Sequence, residues 1–311
     1  MYNFYQDDNF NLARKSRVLE TRARLIQSTR LFFINNGFLE VETPVRVPAP
    51  APEEHIEAIR SGDWFLQTSP EICMKRLLAA GYQRIFQISP CFRAAERGDK
   101  HLPEFTMLEW YVAGFDYQQL MDQCEKLVWS VARNLDITEI TRQNKKIDLS
   151  PPWEKITVAD AFAGYAPVSV DEAMTRDIFD EILVDYIEPR LGVNQPTFLY
   201  DYPAPLAALS KLKDTSPDVS ERFELYIGGL EIANGFSELT DAIEQRHRFE
   251  DALKKRAEKN LARYAMPEKF LHVLGNLPPA AGIALGIDRL MMVLAGAEKI
   301  DDVIAFTPEM L

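Results

Sequence analysis

The sequence is poor in the residues that build disulfide frameworks and zinc sites. It has three cysteines, Cys73, Cys91 and Cys124, and they form no Cys-x-x-Cys pair. This usage is typical of a protein of the reducing cytoplasm, so we expect all three thiols to be reduced and buried. The four histidines are scattered along the chain and match no zinc-binding pattern.

Positive charge and long apolar runs are also scarce. Lysine and arginine number 35 against 47 acidic residues, which gives a formal net charge of −12 at pH 7. This balance argues against a surface that grips nucleic acid mainly by charge, although it allows a local basic pocket. No apolar run approaches the roughly 20 residues of a membrane span, and the polar, acidic start MYNFYQDDNF is not a signal peptide.

The length and the order of elements favour an α+β fold. The 311 residues suffice for one large domain or two modest ones, with 47% hydrophobic and 26% charged residues. Strand-like and helix-like segments alternate without the strict βαβα rhythm of a parallel doubly wound sheet. We therefore expect a mostly antiparallel β-sheet flanked by helices. Within the mixed region 136–196, the segment DIFDEILVDYIEPRLG is the clearest helix.

An acidic hairpin is the most unusual local feature. The stretch ERFELYIGGLEIANGFSEL carries Glu224, Glu231 and Glu238 in two strand-like runs around two adjacent glycines. Acids are poor strand residues, and a buried carboxylate without a partner is costly. If the glycines form a two-residue turn, Tyr226 faces Glu231 and Glu224 faces Ala233. Glu224 and Glu231 then become diagonal neighbours on one sheet face, roughly 7–8 Å apart at Cα.

This spacing suits magnesium, which favours one or two carboxylates together with substrate phosphates. Two exposed acids on a solvated face are an equal alternative for the hairpin alone. Beyond the turn, Asn234, Phe236 and Glu238 alternate on the opposite face and offer an amide, a ring and an acid to a ligand with a positive end. A bulge near residues 233–235 would bring both sets to one site, whereas a regular strand would keep them apart.

A second hairpin-like segment gathers five candidate binding residues. In CFRAAERGDKHLPEFTMLEWY they are Arg93, His101, Phe105, Glu109 and Tyr111. An arginine at a strand end can bind phosphate or carboxylate with two hydrogen bonds, and Phe105 can stack on a base. Taken alone, such an arginine is more often a surface ion-pair partner and such a phenylalanine more often a core residue.

The segment GIALGIDRL places small residues before Asp288 and Arg289 at a strand-to-helix junction. Small residues allow a ligand to approach the backbone, and an arginine there can cover a flat base or hold a phosphate. The alternative is a helix-capping aspartate followed by a solvated arginine.

In order, FLEVETP, FR…HLPEFTMLEWY, GGLEIANGFSELTD and GIALGIDRL resemble the three motifs of the class II aminoacyl-tRNA synthetase core. The chain is most similar to lysyl-tRNA synthetases, from about Leu19 to its C-terminus. Fewer than twenty residues precede the first catalytic helix, where those enzymes carry an anticodon-binding barrel. The chain therefore resembles their short paralogues, the elongation factor P–lysine ligases. Ala233 and Ala284, where the synthetases usually have glycine, favour the same family.

The resemblance implies that residues 1–311 form a single catalytic domain, with residues 1–17 as an N-terminal extension and no anticodon-binding domain. Motif 1, with Pro44, would build a homodimer interface. The carboxylate of (R)-β-lysine or lysine would attack the α-phosphate of ATP, with Mg²⁺ bound, and the acyl group would pass to a lysine of elongation factor P. Transfer RNA is not expected as a partner, no membrane is involved, and the location would be cytoplasmic.

The resemblance also assigns roles to residues. Arg93 and Arg289 would be catalytic, and Glu224 and Glu231 would bind the metal. The residues expected to hold the nucleotide are Arg93, His101, Phe105, Glu224, Glu231 and Arg289. The residues expected to hold the amino acid are Glu71, Glu109, Tyr111, Asn234, Phe236, Glu238 and Ala284. In this family a larger residue at the Ala284 position goes with a preference for (R)-β-lysine over α-lysine.

Departures from the family pattern all fall on the nucleotide side. Ala95 stands where the pattern Arg-x-Glu has a glutamate, and Glu96 comes one place late. Leu102 replaces an asparagine, and Asp99 and Lys100 precede His101 where arginine or tyrosine is common. Two alternative functions follow: activation of an amino acid for another acceptor, such as tRNA, a carrier or a small molecule, or a catalytically weak paralogue that only binds.

Overall fold

A nine-stranded sheet forms the centre of the computed structural model, which describes residues 12–311. In spatial order its strands are β1 (Leu39–Glu40), β5 (Arg84–Phe92), β6 (Glu104–Ala113), β14 (Ala280–Gly286), β13 (Leu230–Ser237), β12 (Ser216–Ile227), β10 (Thr197–Pro203) and β9 (Glu154–Thr157), with β11 (Leu212–Lys213) beside β12. Only the β1–β5 and β9–β10 pairings are parallel. The expected α+β class with a mostly antiparallel sheet is confirmed.

Smaller elements surround this sheet. Two small sheets consist of β2 (Arg46–Val47), β4 (Trp64–Leu66) and β3 (Arg60–Ser61), and of β7 (Glu139–Arg142) and β8 (Lys145–Asp148). The α-helices in the described range are α1 (Ser16–Asn35), α2 (Glu71–Ala79), α3 (Tyr117–Asn134), α4 (Val158–Tyr165), α5 (Val170–Thr175), α6 (Phe179–Ile182), α7 (Ala242–Glu258), α8 (Glu268–Leu274) and α9 (Ile287–Ala295). Of the predicted extension 1–17, residues 1–11 lie outside the described residues.

The two faces of the sheet are covered by different helices because strand residues alternate in direction. On one face, Phe33 of α1 stacks on Phe86 with ring centroids 4.6 Å apart and touches Trp110 at 5.2 Å. On the opposite face, Tyr111 packs in a separate apolar cluster with Met74 of α2 and with residues of α7 and α8. The candidate binding residues of β6 therefore lie beneath α2. Within residues 12–311, no helix is long and apolar enough to cross a membrane.

Three local predictions need correction. The predicted helix DIFDEILVDYIEPRLG is α-helical only in α6; a π-helical turn (Leu183–Ile187) and a 3₁₀ turn (Glu188–Arg190) follow. Pro189 explains the break, because proline has no amide hydrogen and crowds the preceding turn. The apolar run in FLEVETPV also predicts a strand there, but only the two residues of β1 have strand conformation. Cys91 and Cys124 are buried as expected, but Cys73 is only partly buried; all three are free thiols.

Candidate active site

The acidic hairpin joins β12 and β13 through Gly228 and Gly229. Both glycines have positive φ, 60° and 70°, a conformation that costs glycine little. A side chain at Gly228 would also collide with Arg142, whose Cδ would lie 2.6 Å from the added Cβ. The turn places Tyr226 opposite Glu231, as the sequence predicts.

A bulge then changes the register of the hairpin. Glu224 pairs with Asn234 and not with Ala233, so the sequence-based pairing is wrong at this position. The cause is Ile232, an extra residue in β13 that lies one place before the predicted bulge region 233–235. Because one extra residue inverts the alternation, Glu231 and Asn234 share one face of the sheet. The bulge thus unites the two sets of candidate residues.

Strand pairing aligns four candidate residues in one row across the sheet. Glu109 of β6 pairs with Ala284 of β14, Ala284 with Asn234 of β13, and Asn234 with Glu224 of β12. Directly paired residues point to the same face, so a carboxylate stands at each end of this row with a small residue and an amide between them.

A second row runs beside the first. It contains Tyr111, Gly282, Phe236 and Arg222 on the same four strands. Gly282 is essential to its shape: an added Cβ would lie 2.2 Å from Tyr111 Cε1 and 2.5 Å from Glu238 Oε1. The missing side chain therefore makes the space that the tyrosine ring and the glutamate occupy.

Helix α2 adds two charged side chains above these rows. Lys75 Nζ lies 2.5 Å from Glu71 Oε1 and forms a second ion pair with Glu238 Oε2. Lys75 and Glu238 are both almost fully buried, with 1% and 3% of their surface exposed. Glu238 Oε1 has no hydrogen-bond partner within the described part of the chain, and it points at the space beside Gly282.

Glu109 is fixed by two hydroxyl groups at the floor of the same pocket. Ser69 Oγ donates to Glu109 Oε1 at 2.6 Å, and Tyr111 Oη donates to Oε2 at 2.8 Å. The pocket thus holds three carboxylates, those of Glu71, Glu109 and Glu238, and one ammonium group. Such a set is suited to a ligand with positive charge, because a neutral ligand would leave buried carboxylates without partners.

Burial shifts the protonation of this pocket. It raises the pKa of Glu109 to about 8, with the negative charge of Glu71 adding to the effect. It also raises the pKa of Glu238 to about 8, against the opposing influence of Lys75. Burial acts to lower the pKa of Lys75, but Glu238 and Glu71 outweigh it and the net shift is upward. Lys75 is therefore charged at neutral pH, while Glu109 and Glu238 exchange a proton near pH 8.

On the nucleotide side, the candidate residues contact each other. Arg289 Nη1 donates to Glu231 Oε2 at 3.1 Å, and Nη2 lies 2.5 Å from His101 Nε2. Burial and the charge of Arg289 lower the pKa of His101, so its neutral ring can accept this bond. The guanidinium of Arg93 lies over the ring of Phe105, 5.1 Å from its centroid. All five residues thus meet in one region, as the sequence predicts.

Glu224 already has three donors in the protein. Its Oε1 accepts from Arg222 at 2.6 Å and from Asn234 Nδ2 at 3.2 Å, and its Oε2 accepts from Tyr226 Oη at 2.7 Å. In residues 12–311, no group of three or more His, Cys, Asp or Glu side chains is arranged to hold a metal ion. Glu224 and Glu231 on one face fit only a cation whose other ligands come from phosphates and water, which is the preference of Mg²⁺.

The loop that follows Arg93 accommodates its unusual sequence by a local twist. Ala95, at the place of the family glutamate, has a positive φ of 61°. The next residue, Glu96, brings Oε1 to 3.8 Å from Arg93 Nη1. The backbone therefore turns at Ala95, and Glu96, the next residue, approaches the arginine in its place. Arg97 pairs with Asp301 and Glu309 instead and does not face the site.

Sequence reasoning missed Lys75, Arg222, Glu53 and Glu188. Burial raises the pKa of Glu53 to about 7, and Arg93 is its strongest charged neighbour. Burial also raises the pKa of Glu188, aided by Glu231 and Glu224. A signal existed only for Lys75, which follows Glu71 by four residues and shares its helix face with apolar neighbours. The others come from a proline-rich loop, a strand and a broken helix.

Comparison with known proteins adds three relatives and one family. A family model described as class II tRNA synthetases (D, K and N) matches residues 9–310. A lysine–tRNA ligase from Moorella thermoacetica is 39% identical over 93% of this chain, which spans 65% of that protein. An elongation factor P–(R)-β-lysine ligase from Proteus mirabilis is 39% identical over 92% of this chain and 93% of that protein. The ligase of the same name from Vibrio atlanticus is 38% identical over 93% of this chain and 95% of that protein.

Proposed function

The chain belongs to the class II tRNA synthetase family of the D, K and N enzymes, and from this premise we propose that it is a ligase that activates (R)-β-lysine or lysine with ATP and transfers the acyl group from the resulting adenylate to a lysine amine of elongation factor P, with AMP as the leaving group. The observation that carries the proposal is the buried pocket in which Glu71, Glu109 and Glu238 converge under α2. The names of the relatives suggest which amino acid and which acceptor fit it.

The first step forms an aminoacyl-adenylate. The substrate carboxylate attacks the α-phosphorus, the bond to the bridging oxygen breaks, and pyrophosphate leaves with the electron pair. Arg93 would contact both the substrate carboxylate and the α-phosphate and offset the charge that grows on the phosphoryl oxygens. No side chain has to act as nucleophile or base in this step, so the rate enhancement comes from the positioning of the substrates and from charge stabilisation.

The amino acid would lie along the two rows of the sheet. Its distal ammonium would contact Glu238, Glu109 and Tyr111, and its other amino group would contact Glu71. Asn234 and Phe236 would position the carboxylate and the alkyl chain, and the methyl group of Ala284 would limit the space between Glu109 and Asn234.

The base of ATP would stack between Phe105 and Arg289, with His101 near the outer phosphates. Both arginines would change partners for this, because Arg93 covers the Phe105 ring and Arg289 pairs with Glu231. Glu224 and Glu231 would hold Mg²⁺, which offsets the charge of the triphosphate when it is bound.

A homodimer accounts for an exposed apolar surface near motif 1. Leu31 and Ile34 of α1 and Leu39 of β1 are 56%, 55% and 50% exposed. These residues lie in or beside the segment that forms the subunit interface in the resembling family, so a second copy would cover them. The reaction would take place in the cytoplasm, where elongation factor P acts.

Amino-acid-dependent exchange of pyrophosphate into ATP tests the activation step. We expect exchange with (R)-β-lysine and lysine and none with monoamino acids of similar length. Absence of exchange with every amino acid, in folded dimeric protein, would favour a paralogue that only binds.

The acceptor needs a separate test, because a lysine–tRNA ligase is among the relatives. Radiolabelled amino acid should appear on elongation factor P and not on lysine tRNA, each at matched concentration. Labelling of the tRNA alone would establish the second candidate function, a tRNA ligase.

A further inference from the structure

Lys75 lies inside the pocket that is proposed to receive an ammonium group, although it is itself an ammonium group. It is 1% exposed, pairs with Glu71 and Glu238, and lies 5.0 Å from the centroid of the Phe236 ring. A lysine is rarely buried without a compensating role, because removing its charge from water is costly. Its neighbour Arg76 lies on the exposed side of the same helix.

The charges of the pocket explain the position. Glu71, Glu109 and Glu238 would carry three negative charges when ionised, and Lys75 reduces this to two. A diamino acid brings two ammonium groups. With Lys75 present, the ionised pocket and a diamino acid balance, whereas without it one carboxylate has no positive partner.

Lys75 also decides which oxygens face the ligand. It occupies Oε1 of Glu71 and Oε2 of Glu238, so Oε2 of Glu71 and Oε1 of Glu238 are left for other partners. Glu238 Oε1 points towards Gly282 and Tyr111 and has no hydrogen bond among residues 12–311. Two ion pairs on one nitrogen fix the two carboxylates relative to each other, and therefore the spacing of the free oxygens.

We propose that Lys75 is a positioning residue for the substrate: a resident ammonium that bridges Glu71 and Glu238 and so sets the distance between the two sites for the amino groups of a diamino acid. This inference rests on the proposed function for its substrate class. Lys75 touches neither the reacting atoms nor, in this arrangement, the ligand.

Other groups face the same carboxylates and enter any pH dependence. Glu238 meets the charges of Lys75, Glu71 and Glu109, and Tyr111 lies beside them. Glu53 approaches from the proline-rich loop, with Arg93 as its main partner. Of these groups, only Lys75 and Arg93 are cationic, and Arg93 serves the phosphate side.

The test uses Lys75→Met, Lys75→Arg and, as matched control, Arg76→Met on the exposed face of α2. In exchange assays, Lys75→Met should raise KM for the diamino acid by roughly 30-fold or more with a smaller change in kcat. The acid limb of its kcat/KM profile should move up by about one pH unit, because a carboxylate without its cation has a higher pKa. Lys75→Arg should return the acid limb of the kcat/KM profile to its wild-type position. It should alter the ratio of kcat/KM for ornithine to lysine, because the planar guanidinium of arginine spaces the two carboxylates differently.

A ligand-free measurement separates this inference from the proposed function. The unfolding temperature of Lys75→Met should fall more steeply between pH 6 and 9 than that of the wild type, because the acids then ionise against each other. If Lys75 only packs the helix, the loss will be the same at every pH, the acid limb will not move, and the inference is overturned. If the wild type does not exchange pyrophosphate into ATP, the proposed function is overturned. The pH dependence of unfolding still tests whether Lys75 holds the two carboxylates.

Discussion

Asn234 lies directly opposite Glu224 across the acidic hairpin, and its amide donates to the carboxylate at 3.2 Å. This pairing exists because Ile232 is an extra residue in β13. Through it, one strand contributes to both halves of the proposed site: Glu231 to the nucleotide side, and Asn234, Phe236 and the adjoining Glu238 to the amino acid side. Under the proposed function, the bulge is the point at which the two substrates would be brought together.

Gly282 should not tolerate a side chain. In Gly282→Ala the new methyl group would meet the Tyr111 ring at 2.2 Å and Glu238 at 2.5 Å, and neither can withdraw within the packed sheet. We expect a stability loss of about 1–3 kcal/mol and a KM for the amino acid raised roughly tenfold or more. Urea denaturation and exchange kinetics measure both.

The control is Gly275→Ala, because a Cβ at Gly275 meets no atom within 4 Å. Gly275→Ala should leave the stability and the KM for the amino acid unchanged within error. Wild-type kinetics for Gly282→Ala would show that the ring and the glutamate are free to move.

Binding of the diamino acid should release protons at pH 7. The folded-state pKa of Glu109 and of Glu238 is about 8, so in the free protein both hold protons that an incoming ammonium displaces. Calorimetry in buffers of different ionisation enthalpy should detect this release. Affinity should rise from pH 6 to 8, by up to about tenfold per pH unit for each proton released. Net proton uptake would contradict these protonation states.

The same groups predict how stability depends on pH without ligand. Their folded-state pKa values lie above the usual 4.5, so between about pH 4.5 and 8 the folded protein holds protons that the unfolded chain has lost. Stability should therefore decrease through this window as pH rises. Glu109→Gln, which removes one such group, should flatten the dependence measured by thermal unfolding.

Glu96 should support ATP binding in place of the family glutamate. It approaches Arg93 to 3.8 Å by means of the left-handed turn at Ala95. Because this pair is partly exposed, we expect Glu96→Gln to raise KM for ATP by only about 3- to 10-fold and to leave KM for the amino acid unchanged. Ala95→Gly keeps the turn and should preserve both constants. An equal change in both KM values would place Glu96 outside the nucleotide side.

Arg256 should be required for the loop that carries Glu53. Its guanidinium donates to the backbone oxygens of Glu53 at 2.8 Å and Ile56 at 2.6 Å, and it stacks on Tyr264 at 4.0 Å. Arg256→Met leaves these buried groups without a donor and should cost about 3 kcal/mol or more. Lys255→Met, one residue earlier in an exposed ion pair, should cost under about 1 kcal/mol. Proteolysis confined to residues 48–58 would report loosening of the loop.

Ala284 should influence which isomer is used. Ala284 lies between Glu109 and Asn234 in the row of the sheet that would lie beneath the amino acid. Ala284→Gly should shift the ratio of kcat/KM for α-lysine to (R)-β-lysine towards α-lysine by about tenfold, the effect of one methyl group in a pocket. An unchanged ratio would remove Ala284 from the specificity determinants.

The sequence by itself determined the fold class and the motifs. The α+β class and the Tyr226–Glu231 pairing follow from local patterns of apolar residues and from the two turn glycines, which depend on nearby residues alone. The motifs predict Arg93, Phe105, Glu109 and Arg289 as site residues for the same reason.

Only the tertiary structure decided the bulge at Ile232, the burial of Lys75 between two glutamates and the hydrogen bond of Glu188 with Tyr226. Each of these depends on residues brought together from distant parts of the chain. Strand register and the burial of charge are set by long-range packing, where a shift of one residue turns a side chain to the opposite face. That is why the sequence predicts the glutamates of the pocket but not Lys75, the cation that lies between Glu71 and Glu238.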